Sequence, residues 1–204
     1  MTEFAVSPSC RASVATVPQH DAAARRISPG EANARFTSVV LPHLDDAYAL
    51  ARWLTGSRTD SEDVVQDACL RALRGIGNFS NGNARAWVLT IVRHTSYSWL
   101  EKNRPAAVVL EAFESVDGTQ DVELDAETPE TALIARDNLT LLQAAIAGLP
   151  VPLRETLLLR ELQELSYQEV AEVTGVPIGT VMSRLARARA RIISILTRGG
   201  LRQN

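Results

Sequence analysis

Residues 165–198 read LSYQEVAEVTGVPIGTVMSRLARARARIISILTR, and this stretch decides the fold class. Ser166-Tyr-Gln-Glu169 has the form of a capping box: a serine hydroxyl accepts from a free backbone N–H while a glutamate three residues on reaches back. The short helix it opens turns Val170 and Val173 inward. Thr174-Gly175-Val176 makes a sharp turn, and Pro177, which has no N–H to leave unpaired, suits the start of the next helix. In that helix Val181, Leu185, Ala188, Ile192 and Ile195 fall in one sector. Thr180, Arg184, Arg187 and Arg191 lie within about 60° of one another on the adjacent sector. A short helix, a glycine turn and a helix with an arginine stripe predict a helix-turn-helix whose second helix enters a major groove. Arginine reads guanine bidentately, and Thr180 and Ser183 can bond phosphate or base edges.

The charge distribution agrees with that reading although the bulk value does not. The 204-residue chain has a net charge of −3, which on its face argues against a nucleic-acid partner. Residues 105–135, however, hold eight acids and no base, whereas 178–204 hold six arginines and no acid. An acidic middle and a basic end are hidden in a near-neutral sum.

Working toward the N-terminus, the same helical period recurs. Gly148-Leu149-Pro150 and Gly175-Val176-Pro177 punctuate helices at about 130–147, 152–163, 167–173 and 178–198. The stretch 105–129 lacks periodicity and reads as an acidic flexible linker. Before it, Trp87, Ile91 and Trp99 mark the inward side of a helix from about Ala84 to Glu101. GIGNFSNGN (75–83) is a loop, and a helix from Asp60 or Ser61 buries Val64, Val65, Ala68 and Leu73. Phe36, Val39, Val40, Leu44, Ala47, Leu50, Ala51 and Leu54 recur at threes and fours, one face of a helix pair bent near Pro42. Residues 1–30, rich in Ala, Ser and Pro, read as a mobile tail. The expected fold is all-α: two small helical domains, 31–104 and 130–204, joined by the linker 105–129.

Several function classes are excluded. No apolar run approaches the roughly 20 residues of a membrane span, and the N-terminus has no basic start followed by an apolar stretch, so a cytoplasmic location is expected. Cys10 and Cys69 form no CxxC pair, which argues against a zinc or disulfide framework. No HExxH, nucleophile–base pairing or phosphate-cradling loop is present, so neither a metal nor another cofactor is expected, and no catalytic residue is assigned. Cys69, among Val, Ala and Leu, reads as a small packed side chain.

The order of elements is similar to that of bacterial sigma factors of the extracytoplasmic-function (ECF) group, which retain regions 2 and 4 of the sigma-70 family. DSEDVVQDACLRA (60–72) resembles the region 2.2 motif and AWVLTIVR (86–93) the region 2.3 motif. Leu149-Pro150, LSYQEVA (165–171) and GTVMSRLARAR (179–189) resemble region 4. The resemblance implies a transcription initiation factor that binds core RNA polymerase, catalyses nothing itself, and is controlled by an anti-sigma factor. It implies that Glu62, Asp63, Gln66 and Asp67 dock on the polymerase, the last two on the β′ coiled coil, with β as a further contact. It implies that Asn78, Phe79, Ser80 and Asn81 capture a flipped base of the minus-ten element, with Arg85 and Arg93 near phosphate. Thr180, Met182, Ser183, Arg184 and Arg187 match minus-35 contacts, supported by Tyr167, Gln168 and Arg191 in the helix-turn-helix. Met182 departs from the family pattern, where a base is frequent: a thioether can touch a thymine methyl but cannot hold phosphate. The residues alone also permit a stand-alone helix-turn-helix regulator, with 31–104 as a dimerisation or ligand domain.

Overall fold

A computed structural model describes residues 27–80, 82–103 and 129–199. It contains eight α-helices among those residues and no strand: α1 Pro29–Val39, α2 Leu44–Thr55, α3 Arg58–Gly75, α4 Ala84–Asn103, α5 Pro129–Ala147, α6 Val151–Glu161, α7 Tyr167–Thr174 and α8 Ile178–Gly199. The tail before Ile27 and the acidic stretch 104–128 lie outside the described residues.

Caps explain where helices begin, and they move two starts from the expected positions. α1 starts at Pro29 because Ser28 accepts from the Glu31 N–H at 3.2 Å and proline occupies the first turn. α3 starts at Arg58, ahead of Asp60, because Ser57 caps it through the Asp60 N–H. Between them Gly56, at φ 74°, ends α2 in the left-handed region. The bend near Pro42 is a turn of 3-10 helix, Leu41–His43. Part of the expected loop 75–83 is also ordered as 3-10 helix, Ile76–Asn78, anchored by the fully buried Ile76.

α2, α3 and α4 pack on one another, and α8 packs on α5, α6 and α7. The two sets also meet: α7 lies on α4 and α6 on α2. One cluster of buried side chains runs through both, from Val40, Leu50, Leu54, Val64 and Leu89 to Leu149, Leu159, Val170, Val181 and Leu185. The sequence did not announce this contact between the halves, because its apolar residues are scattered singly along helices that read as belonging to separate bundles.

Candidate nucleic-acid interface

The α7–α8 unit has the geometry its sequence predicts. Ser166 Oγ accepts from the Glu169 N–H at 3.2 Å, and Glu169 accepts from the Ser166 N–H at 2.8 Å. These bonds hold the Glu169 carboxyl below its ordinary pKa, first through the Ser166 backbone N–H. Gly175 sits at φ 68°, where the turn needs a left-handed residue. Val181, Leu185 and Ala188 are buried and fix the face that α8 leaves outward. On that face Met182, Ser183, Arg187 and Arg191 are exposed and Thr180 is half-buried. Arg187 bonds Ser183, with Nε on its carbonyl at 3.2 Å and Nη2 on its hydroxyl at 3.3 Å. Gln168 is exposed on α7, while Tyr167 is half-buried under the Arg160 guanidinium, 5.1 Å from the ring centre.

Arg184 does not stand with that open set. Its Nη1 lies 3.3 Å from Glu155 Oε1 on α6. The same carboxylate accepts from Arg93 Nε at 2.8 Å and from the Tyr97 hydroxyl at 2.8 Å, both on α4. Burial acts to lower the Arg93 pKa, but the hydrogen bond and charge of Glu155 outweigh it and the net direction is upward. Burial, then the Glu155 charge, pushes the Tyr97 phenol up. Arg93 also lies 4.7 Å over the Tyr97 ring. His94, next to it, is exposed at the surface, with its pKa lowered by partial desolvation and by Arg93.

Where α3 runs into α4, Asn78, Phe79, Ser80, Gly82, Asn83, Ala86, Trp87, Thr90 and Glu172 line an open cavity of about 320 Å³. Phe79 and Trp87 form an aromatic corner, ring centres 5.0 Å apart and tilted by 41°. Trp87, expected in the core, is only half-buried, and its indole is shared between the core and this cavity. Arg35 fixes the loop by donating to the Phe79 carbonyl at 2.6 Å. Asn83 caps α4 through the Ala86 N–H at 3.0 Å. Asn81 lies outside the described residues. Arg85 is turned away from the cavity: it bonds Asp46 at 2.6 Å and the Gln163 carbonyl and side chain at 2.7 and 2.8 Å.

On α3, Glu62, Asp63 and Gln66 are exposed and Asp67 is half-buried. Two same-helix ion pairs flank this polar face, Arg58–Glu62 at 3.2 Å and Arg71–Asp67 at 2.9 Å. Cys69, on the same helix, is half-buried, and burial raises its thiol pKa, which makes it a poor nucleophile.

Glu155, Tyr97, Gln163 and Asp46 escaped the sequence reading. A signal for Glu155 was present. On a helical wheel of Val151–Glu161, Glu155 falls between Val151 and Leu159 and so has no solvent face, whereas Arg154 falls between Glu161 and Leu158 and gave no such signal. Among the described residues, no helix is long and apolar enough to cross a membrane.

Two family models match the chain: Sigma-70 region 2 over residues 39–105 and Sigma-70, region 4 over residues 139–192. The RNA polymerase sigma-H factor of Pseudomonas aeruginosa is 32% identical over 182 residues, covering 87% of this chain and 93% of that protein. The ECF RNA polymerase sigma-E factor of Haemophilus influenzae is 34% identical over 141 residues, 67% of this chain and 74% of that one. Among solved structures, the sigma factor RpoE in complex with the anti-sigma factor NepR from Bartonella quintana matches with a TM-score of 0.60 at 26% identity, over 79% of this chain and 96% of that one. CnrH in complex with the cytosolic domain of CnrY shares the fold, with a TM-score of 0.58 at 24% identity over 84% and 96%. With both regions matched in order and a relative aligned along nearly its whole length, this chain belongs to the ECF group of the sigma-70 family, the RNA polymerase sigma factors that initiate transcription.

Proposed function

We propose that this sigma factor directs core RNA polymerase to specific promoters by dividing the work between its halves. The observation that carries the reading is the pairing, in one chain, of an acid-free basic helix with an amide- and aromatic-lined cavity. Exposed Arg187 and Arg191 on α8, with Ser183 and Thr180, suit the phosphates and base edges of a duplex, the minus-35 element. Met182, 54% exposed, offers an apolar contact for a thymine methyl. The cavity at Asn78, Phe79, Ser80 and Asn83 suits an extruded base of the minus-ten element: amides bond its edge, and the aromatic corner offers stacking of about 1–3 kcal/mol per base. That gain offsets an unstacking cost of a few kcal/mol, so the duplex opens by binding energy alone.

The polar face at Glu62, Asp63, Gln66 and Asp67 supplies the docking surface for the polymerase, acidic side chains against a basic coiled coil. An anti-sigma factor is the expected regulator, a reading supported by the solved sigma factor RpoE of Bartonella quintana, which is in complex with the anti-sigma factor NepR.

The test is co-elution of the purified chain with core polymerase, compared with a Gln66→Ala/Asp67→Arg variant. The parent is expected to travel with polymerase and the variant to elute alone. Co-elution of both moves the docking face elsewhere. A parent that never binds polymerase yet shifts duplex DNA by itself would return the stand-alone regulator.

A further inference from the structure

We propose that the chain contains its own latch, centred on Glu155, which closes the α5–α8 half over the α1–α4 half and masks residues of both nucleic-acid faces until it is broken. The inference rests on reading α8 and the cavity as DNA contacts.

Three of the cations assigned to DNA spend their donors inside the protein. Arg93 on α4 and Arg184 on α8 both point at Glu155 on α6, whose side chain is 1% exposed. Arg85 gives two donors to Gln163, in the turn that follows α6. A guanidinium paired in this way gains less from a phosphate, because a carboxylate, Glu155 or Asp46, already balances its charge. The cavity is masked by charge as well. Asn83 Nδ2, at its rim, donates to Glu169 Oε1 of α7 at 2.6 Å, and Glu172 of the same helix forms part of the lining. Two carboxylates therefore stand where a polyanion has to pass, and they repel it.

The halves share part of one apolar cluster, and polar links cross between them as well. Besides those above, the Tyr97 hydroxyl bonds Glu155, Gln163 Nε2 donates to the Asp46 carbonyl at 3.4 Å, and Arg154 Nη1 donates to the Trp53 carbonyl at 3.1 Å. Polar links can be exchanged for bonds to phosphate or to a polymerase surface without a net loss of pairing. The device therefore suits a switch. Arg187 and Arg191 remain exposed throughout, so the closed chain keeps a weak, non-specific affinity for DNA and lacks the contribution of Arg184.

The test uses the full chain, with small-angle X-ray scattering for shape and binding to a random-sequence duplex of about 30 base pairs across a salt series. Glu155→Gln keeps the side-chain shape and removes the charge; Tyr97→Phe leaves Glu155 and both arginines in place. Glu155→Gln is expected to expand the particle, tighten duplex binding by about fivefold, and steepen the salt dependence by about one for each arginine released. Tyr97→Phe is expected to move each readout in the same direction and by less. A folded Glu155→Gln chain that binds DNA no more tightly than the parent overturns the latch, whether or not its scattering expands. If Glu155→Gln does not fold, Tyr97→Phe decides by the same signs. Co-elution of the parent with core polymerase, run alongside, judges the sigma reading separately.

Discussion

Arg154 and Glu155 are neighbours in sequence, both fully buried, and used in opposite ways. Arg154 ties helix ends together: its Nη2 donates to the carbonyls of Ala147 at 2.6 Å and Leu149 at 3.0 Å, and its Nη1 reaches Trp53. Arg154→Met leaves those carbonyls without a cationic donor and is expected to cost about 3 kcal/mol in urea denaturation. Arg154→Lys is expected to recover less than half, because a single ammonium cannot span carbonyls on two sides as a guanidinium fork does. A loss below about 1 kcal/mol for Arg154→Met would show that solvent or a shifted backbone takes over its role. At this scale the sequence was only half legible. Its arginine stripe on α8 identified exposed Arg187 and Arg191, whereas Arg184 is claimed by a carboxylate 29 residues earlier, and a pairing across that distance leaves no local pattern.

Helices were the most readable elements, since a cap and a period are both local. Ser166 with Glu169 and Gly175 marked the start of α7 and its end to within one residue, and the misplaced starts of α1 and α3 came from Ser28 and Ser57, caps the apolar period does not include. The turn between α7 and α8 carries its own prediction. No atom lies within 4 Å of where a Gly175 Cβ would sit, so Gly175→Ala tests backbone conformation alone. It is expected to cost about 1 kcal/mol. Glu164, between α6 and α7, presents the converse: it holds φ 53° with a full side chain, and Glu164→Gly is expected to gain up to about 1 kcal/mol. Thermal denaturation of the pair checks both signs, and a stabilising Gly175→Ala would contradict the left-handed turn. The cavity was less legible than the turn. Its amides and Phe79 sit in one loop, but Trp87 comes from the next helix and Glu172 from the far half of the chain.

At the scale of the molecule, the halves share one buried cluster, so they are expected to unfold together. All three tryptophans, Trp53, Trp87 and Trp99, lie in the first half, while far-ultraviolet circular dichroism reads helices in both. The fluorescence and dichroism transitions in urea are therefore expected to coincide. Two separate midpoints would mean that the contact between α4 and α7 adds little to stability. This closure was not legible beforehand, since caps, periods and charge runs describe each segment alone and a surface between segments is written in none of them. The Glu155 cluster also limits how this sequence can drift. A carboxylate shared by Arg93, Tyr97 and Arg184 ties together positions on three helices, so an exchange at one is tolerated only beside an exchange at another. Lineages descended from this chain should therefore change these four residues as a set, leaving a covariation that links both matched regions.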